Sequence, residues 1–296
     1  MMSHLAGSVF RLGAALEHTD LVARLLDVYV VRPSASVPAG HARTASLLRS
    51  VVGASDARDA DPAATLDALA LDRHEPASIA HAVAVARDAA RRAREVVSTE
   101  LWDCLDVTRS RMPRKVGGDR AHDFLGWAKE RSALAVGVVD GDASRDDVWA
   151  FFTLGRSLSR VRTTSALLSS GLLDPSSPEA WSDALRGCGA AEAFRRGAHH
   201  DVDPSEAAAF LLLDTHSPRT VAFLAHRAVD GLERVTAACV ADEVAAFRRA
   251  VAALDAVAPQ EVLAGLRAVT TRLADAGKAV DAALEARVFS VASAVS

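Results

Sequence analysis

The chain has few aromatic residues and few cysteines. Aromatics make up 5% of its 296 residues, with one tyrosine among them, whereas β-sheets draw on aromatic and β-branched side chains. The cysteines Cys104, Cys188 and Cys239 are an odd number and form no Cys-x-x-Cys pair. We therefore expect buried, reduced thiols in a cytoplasmic protein instead of a disulfide framework.

Long apolar runs and nucleotide-binding motifs are also missing. No apolar run reaches the roughly 18 residues that a membrane span needs, and the first residues lack the basic and apolar stretches of a signal peptide. A net charge of −4 gives no general attraction to nucleic acid or to an anionic membrane. Without a P-loop, a Gly-x-Ser-x-Gly elbow or a complete Gly-x-Gly-x-x-Gly loop, we expect no bound cofactor.

Two polar clusters resemble binding sites for a metal or for nucleic acid, but neither has the pattern that such a site requires. In His199-His200-Asp201 the neighbouring side chains diverge and no further ligand is spaced to join them, so we expect no metal. The basic segment 109–120 has no interleaved aromatics, which favours an acidic patch on a partner protein over nucleic acid.

The residues that are present predict an all-α fold. Half of them are hydrophobic, and Ala, Val and Leu dominate. Ala and Leu are strong helix formers, and apolar positions recur every three or four residues along long segments. Pro76 and Pro218 are expected in the first turns of helices. The predicted helices span about 4–30, 43–52, 76–105, 122–138, 144–170, 218–240, 243–257 and 259–288, with further helix starts at Ser177-Pro178 and Asp203-Pro204.

The two halves of the sequence match at a constant offset of 142 residues. The matched pairs include Phe10 with Phe152, Leu12 with Leu154, Gly13 with Gly155, Leu71-Asp72 with Leu213-Asp214, His74 with His216, and Pro76 with Pro218. This predicts an internal duplication inside one domain, 1–296, with pseudo-repeats 1–141 and 142–296. Glycines within two long helices predict a close crossing about a pseudo-twofold axis. A chance likeness between amphipathic Ala/Leu helices is the alternative.

The repeated segments carry a resemblance to a known family. The segment Leu12-Gly13-Ala14-Ala15-Leu16-Glu17-His18, with Ala23-Arg24-Leu25-Leu26-Asp27 after it, resembles the opening Gly-Arg-Tyr-Leu-Glu-Arg motif of the alpha-E family, and Leu154-Gly155-Arg156-Ser157-Leu158-Ser159-Arg160 resembles a second occurrence. Further ordered matches run along nearly the whole chain. The resemblance implies an all-α fold. It also implies association with an ATP-grasp ligase-type protein, and with a transglutaminase-like or second alpha-E protein, in making or modifying an amide-linked peptide.

The departures from the family motif lead to a composite-site hypothesis. The first half keeps the acid, Glu17, and has lost the arginines, whereas the second half keeps Arg156 and Arg160 and has lost the acid. If the halves pack face to face, Glu17 lies opposite both arginines in one site. A degenerate protein that keeps only its shape is the alternative.

The candidate site residues are Glu17, Asp20, Arg24, Arg156, Arg160 and Arg219. Glu17 is the candidate general base or ammonium ligand, and the arginines are expected to bind a carboxylate or a phosphate. The alternatives are a solvated helix face with ion pairs, which would also hold Asp27, and arginine stems that cover apolar surface.

We expect an accessory subunit that binds the substrate of an ATP-grasp partner. The alternatives are a catalytically silent interaction module and an independent helical enzyme.

Overall fold

The computed structural model describes residues 1–33, 41–55, 61–197, 201–235 and 238–290, and within these ranges the chain is helical without any strand. The predicted all-α fold is confirmed. In the same ranges, no helix has both the length and the apolar character that crossing a membrane requires. The α-helices are α1 (Ser3–Leu26), α2 (His41–Val52), α3 (Pro62–Leu71), α4 (Ile79–Arg92), α5 (Thr99–Ser110), α6 (Ala121–Asp142), α7 (Asp147–Ser169), α8 (Pro178–Gly187), α9 (Ala191–Arg196), α10 (Pro204–Leu213), α11 (Val221–Val235), α12 (Ala241–Asp255) and α13 (Val262–Ala283).

Helices α1 and α7 cross at the centre of the molecule with their backbones in contact. A Cβ atom added to Gly13 would lie 2.1 Å from the carbonyl oxygen of Phe152, and one added to Gly155 would lie 2.1 Å from the carbonyl oxygen of Phe10. Only glycine permits this approach. The two contacts are reciprocal at the offset of 142, as the predicted crossing requires.

The remaining long helices surround this crossing in two similar groups. Helices α4 and α6 pack on α1 with α5 beside them, and α11 and α13 pack on α7 with α12 beside them. Helices α3 and α10 begin and end 142 residues apart. The duplication stays a prediction, which this recurring order supports.

Aspartate–proline pairs begin two matched helices. The Asp61 carboxylate accepts hydrogen bonds from the backbone N–H groups of residues 63 and 64 before α3, and Asp203 does the same at residues 205 and 206 before α10. A proline at the next position costs no hydrogen bond, because that N–H has no partner inside a helix.

The prediction that Pro76 and Pro218 stand in the first turns of helices is wrong. Helix α4 begins at Ile79, after Ser78 accepts a hydrogen bond from the N–H of His81, and α11 begins at Val221. Each proline belongs to a turn before its helix. Asp72 accepts a hydrogen bond of 2.8 Å from the N–H of His74 in the first turn, and Asp214 accepts one of 2.9 Å from the N–H of His216 in the second.

The single predicted helix over about 76–105 is also wrong. It is divided into α4 and α5, because Ser98 accepts a hydrogen bond from the N–H of Leu101 and starts a new helix. Helix α3 was not predicted, although Asp61-Pro62 matches the helix start at Asp203-Pro204. His199 and His200 lie outside the described residues.

Candidate functional site

The crossing of α1 and α7 brings together all six residues that the sequence singles out. Glu17 lies one turn beyond Gly13 on α1, and Arg156 directly follows Gly155 on α7. Because no Cβ separates the helices at the glycines, side chains one turn away reach across the gap. The resulting arginine–carboxylate cluster is formed by Glu17, Asp20, Arg24, Arg156, Arg160 and Arg219.

Glu17 is ion-paired with both arginines of the second half. Its Oε2 accepts a hydrogen bond of 3.0 Å from Arg156 Nε, and its Oε1 accepts one from Arg160 Nε. The side chain is 4% exposed. Burial alone would raise the pKa of Glu17, but Arg160 and Arg156 outweigh it, so the pKa lies below its usual value. Glu17 is therefore a carboxylate at neutral pH.

Asp20 joins three arginines from different parts of the chain. Its Oδ2 accepts hydrogen bonds of 2.6 Å from Arg160 Nη2 and 2.7 Å from Arg219 Nη1. One turn along α1, Arg24 Nε lies 3.0 Å from each carboxylate oxygen. Burial acts to raise the pKa of Asp20, and the surrounding arginines, with Arg160 foremost, lower it far below its usual value.

Arg160 is the centre of the cluster and is 1% exposed. Besides Glu17 and Asp20, it donates a hydrogen bond of 2.8 Å from Nη1 to the carbonyl oxygen of Cys188, at the end of α8. Burial acts to lower the pKa of Arg160, but the two carboxylates raise it above the usual arginine value. A buried arginine is stable only with such complete pairing.

The cluster has more positive than negative charge. Four guanidinium groups surround two carboxylates. The side chains of Arg156, Arg24 and Arg219 are 23%, 25% and 29% exposed, so they form an edge that solvent reaches. This arrangement favours the binding of an anion. A carboxylate already held by two guanidiniums is a weak base, which argues against proton transfer by Glu17.

The alternative that Glu17, Asp20 and Asp27 lie on a solvated helix face is wrong, because all three residues are buried. Asp27 does not join the cluster. Its Oδ1 lies 2.8 Å from His122 Nδ1, and its Oδ2 lies 3.4 Å from Lys129 Nζ. This pairing ties α1 to α6. The guanidinium of Arg156 also lies 5.9 Å from the centre of the Phe152 ring.

A comparison with protein families matches residues 1–289 to Alpha-E, described as a predicted alpha-helical domain with a conserved ER motif. The chain belongs to the Alpha-E family. Neither a curated protein nor a solved structure matches it. By the motif resemblance, Glu17-His18 and Ser159-Arg160 are the two positions of an Alpha-E Glu-Arg pair in this chain. Glu17 stands at the first of these positions and Arg160 at the second, and these two residues bind each other.

Other residues near the crossing were not predicted. The carbonyl oxygen of Cys188 is a backbone acceptor, which no residue type reveals. His18 binds the carbonyl oxygen of Ala77 through Nε2 at 2.9 Å, and Asp281 of α13 binds Arg162 of α7 at 2.6 Å. Asp281 is an acid among Ala and Val in the sequence, and an isolated acid within a buried helix face is a signal that would have identified it.

Proposed function

We propose that this Alpha-E chain is an accessory subunit that binds a carboxylate group of the substrate of an ATP-grasp ligase-type partner. The observation that carries the proposal is the excess positive charge of the arginine–carboxylate cluster at an edge that solvent reaches. The reaction class is amide-bond formation or modification in a peptide. The resemblance to the family motifs supports this class and this partner.

The chemistry of the cluster edge supports carboxylate binding. Arg219 donates to Asp20 through Nη1. Burial and the neighbouring Arg160 lower the pKa of Arg219, because positive charge is crowded there. A substrate anion beside Arg219 and Arg156 relieves this crowding. Planar guanidinium groups also match the two oxygens of a carboxylate.

The proposed location is the cytoplasm. Cys104 and Cys188 are free thiols buried in the core, and Cys239 is a free, exposed thiol. Unpaired thiols are typical of proteins in a reducing compartment.

A second candidate function is a catalytically silent interaction module. The observation that favours it is the complete pairing of the buried Arg160, which donates to both Glu17 and Asp20. A cluster of this kind fixes how the helices pack and leaves the partner to bind its own substrate.

The test is purification of the full chain from its native host, followed by mass spectrometry and an assay of ATP-dependent amide formation by the complex. The informative variant is Arg219→Ala, which introduces the residue found at the matched position, Ala77. We expect the complex to persist and the KM for the acyl substrate to rise about tenfold to a hundredfold, the effect of losing one charged hydrogen bond.

Arg196→Ala is the matched control, since it removes the same charge from an exposed position on α9. It should leave both the complex and the KM unchanged. Loss of the partner in Arg219→Ala would favour the interaction module, and the absence of any ATP-grasp protein from the complex would refute both roles for this partner.

A further inference from the structure

A cavity of about 720 Å³ lies on the other side of the α1–α7 crossing. Residues of α1, α4, α7 and α13 line it, among them Phe10, Ala14, Val85 and Ala166. Its volume falls in the range of small-molecule binding sites. The walls are mostly apolar, and charged groups stand on α1, α7 and α13.

This cavity occupies the position that corresponds to the arginine–carboxylate cluster in the other half. At the offset of 142, four of the six cluster residues correspond to small residues that line the cavity: Arg156 with Ala14, Glu17 with Ser159, Arg24 with Ala166, and Arg219 with Ala77. The other two, Arg160 and Asp20, correspond to His18 and Arg162, which also line it. Much of the space that side chains fill on one side of the crossing is therefore open on the other.

The basic groups around the cavity already have acidic partners. Arg11 is ion-paired with Glu285, Arg162 Nη1 lies 2.6 Å from Asp281 Oδ2, and Lys278 Nζ lies 3.8 Å from Asp275. An incoming anion would have to displace one of these carboxylates. The cavity thus differs in its chemistry from the cluster edge.

Hydrogen-bond acceptors, by contrast, are left without donors. Within the described ranges, neither Asp281 Oδ1 nor the Ser159 hydroxyl has a hydrogen-bond partner, and both atoms are buried. His18 uses Nε2 to donate to the carbonyl oxygen of Ala77. Burial lowers the pKa of His18, so the ring is neutral and its Nδ1 is an acceptor. All three residues line the cavity.

We propose that this cavity binds a small molecule with a protonated primary amine and an apolar body, the ammonium group donating to Asp281 Oδ1. An ammonium group carries three donors and no acceptor, which matches the acceptors offered here. Its positive charge also compensates a carboxylate that is removed from water. The apolar body of the ligand packs against the small side chains that replace the cluster.

Three probes of one shape test the charge preference on the isolated full chain. Phenethylamine is positive, 2-phenylethanol is neutral, and 3-phenylpropionate is negative. We expect phenethylamine to bind about tenfold or more tightly than either other probe in calorimetric titrations, with NMR shifts confined to the cavity residues. In Asp281→Asn this preference should disappear.

Asp103→Asn is the matched control. It makes the same change at an exposed position on α5 that is outside the cavity lining, so the amine preference should remain. Equal binding of 2-phenylethanol would show an apolar cavity without the ammonium site. Tighter binding of 3-phenylpropionate, or no binding of any probe at about 10 mM, would overturn the proposal. No partner protein is needed, so the result is independent of the proposed ligase association.

Discussion

Replacing Glu17 with glutamine tests whether the arginine–carboxylate cluster holds the two central helices together. Glutamine has the shape of glutamate, but only one of its two terminal groups, the oxygen, can accept a hydrogen bond. Its NH2 group would face the N–H groups of a guanidinium, so that donor meets donor. Arg160 would then stay buried with Asp20 as its remaining carboxylate partner. Removing one member of a buried ion pair costs about 3–5 kcal/mol. Since Asp20 still compensates Arg160 and one glutamine oxygen still accepts, we expect a loss of about 3 kcal/mol in the free energy of unfolding.

The assay is urea unfolding followed by circular dichroism, with the midpoint and slope compared at neutral pH. The loss corresponds to a fall of about 6 °C in Tm for a chain of this size. Glu192→Gln is the matched control, because Glu192 pairs with Arg195 while 78% exposed. It should change stability by less than about 0.5 kcal/mol, as exposed ion pairs do.

A double-mutant cycle with Arg160→Met separates this ion pair from general loss of packing. We expect a coupling energy of about 2 kcal/mol between positions 17 and 160. The pKa of Glu17 is lowered in the folded chain, so its contribution is present above the ordinary value of 4.5 and is lost as the pH falls through the lowered pKa. A cost below about 1 kcal/mol for Glu17→Gln, or additive single effects, would refute the reasoning.

Two further predictions concern Gly13 at the helix crossing and Asp281, the aspartate that lines the cavity. Gly13→Ala should destabilise the chain by more than about 3 kcal/mol in the same urea assay, because the new Cβ meets the Phe152 carbonyl. In Gly137→Ala the new Cβ meets no atom within 4 Å, so this variant should stabilise the chain by up to about 1 kcal/mol. Burial raises the pKa of Asp281 from 3.8 to about 6, so its ionisation opposes folding by an amount that grows between these two pH values and is complete above about 6. Asp281→Asn should therefore stabilise the chain at about pH 7.5, by about 2 kcal/mol after allowance for the 22% exposure of the Asp281 side chain. The gain in stability should fade toward about pH 4. An equal gain at both pH values would contradict the raised pKa.

The sequence was informative where local chemistry decides the structure. Ala-rich and Leu-rich periodicity predicted the helices, and paired glycines predicted the close crossing of α1 and α7. The complementary losses in the two halves pointed to Glu17 opposite Arg156 and Arg160, where the structure places them. The first two inferences depend on residue type and spacing alone, and the third also depends on the resemblance to the alpha-E motif.

Contacts between distant segments could not be predicted from the sequence. The pairing of Asp27 with His122 joins positions 95 residues apart, and no sequence motif indicates this contact. The division between α4 and α5 depends on the Ser98 cap, a single polar residue in a stretch that otherwise continues the helical pattern. The cavity was missed because small residues that line a void look the same in sequence as small residues in a core.

The position of α1 also governs how the chain folds during synthesis. Its Phe10 ring lies 5.3 Å from the ring of Phe289, close to the last described residues, and its Arg11 pairs with Glu285. The part of α1 that faces these residues is therefore covered only after segments made more than 270 residues later have been synthesised. Such non-local contacts slow folding and leave apolar surface exposed until the later segment is made. Chaperone protection of α1 in the nascent chain is the expected consequence.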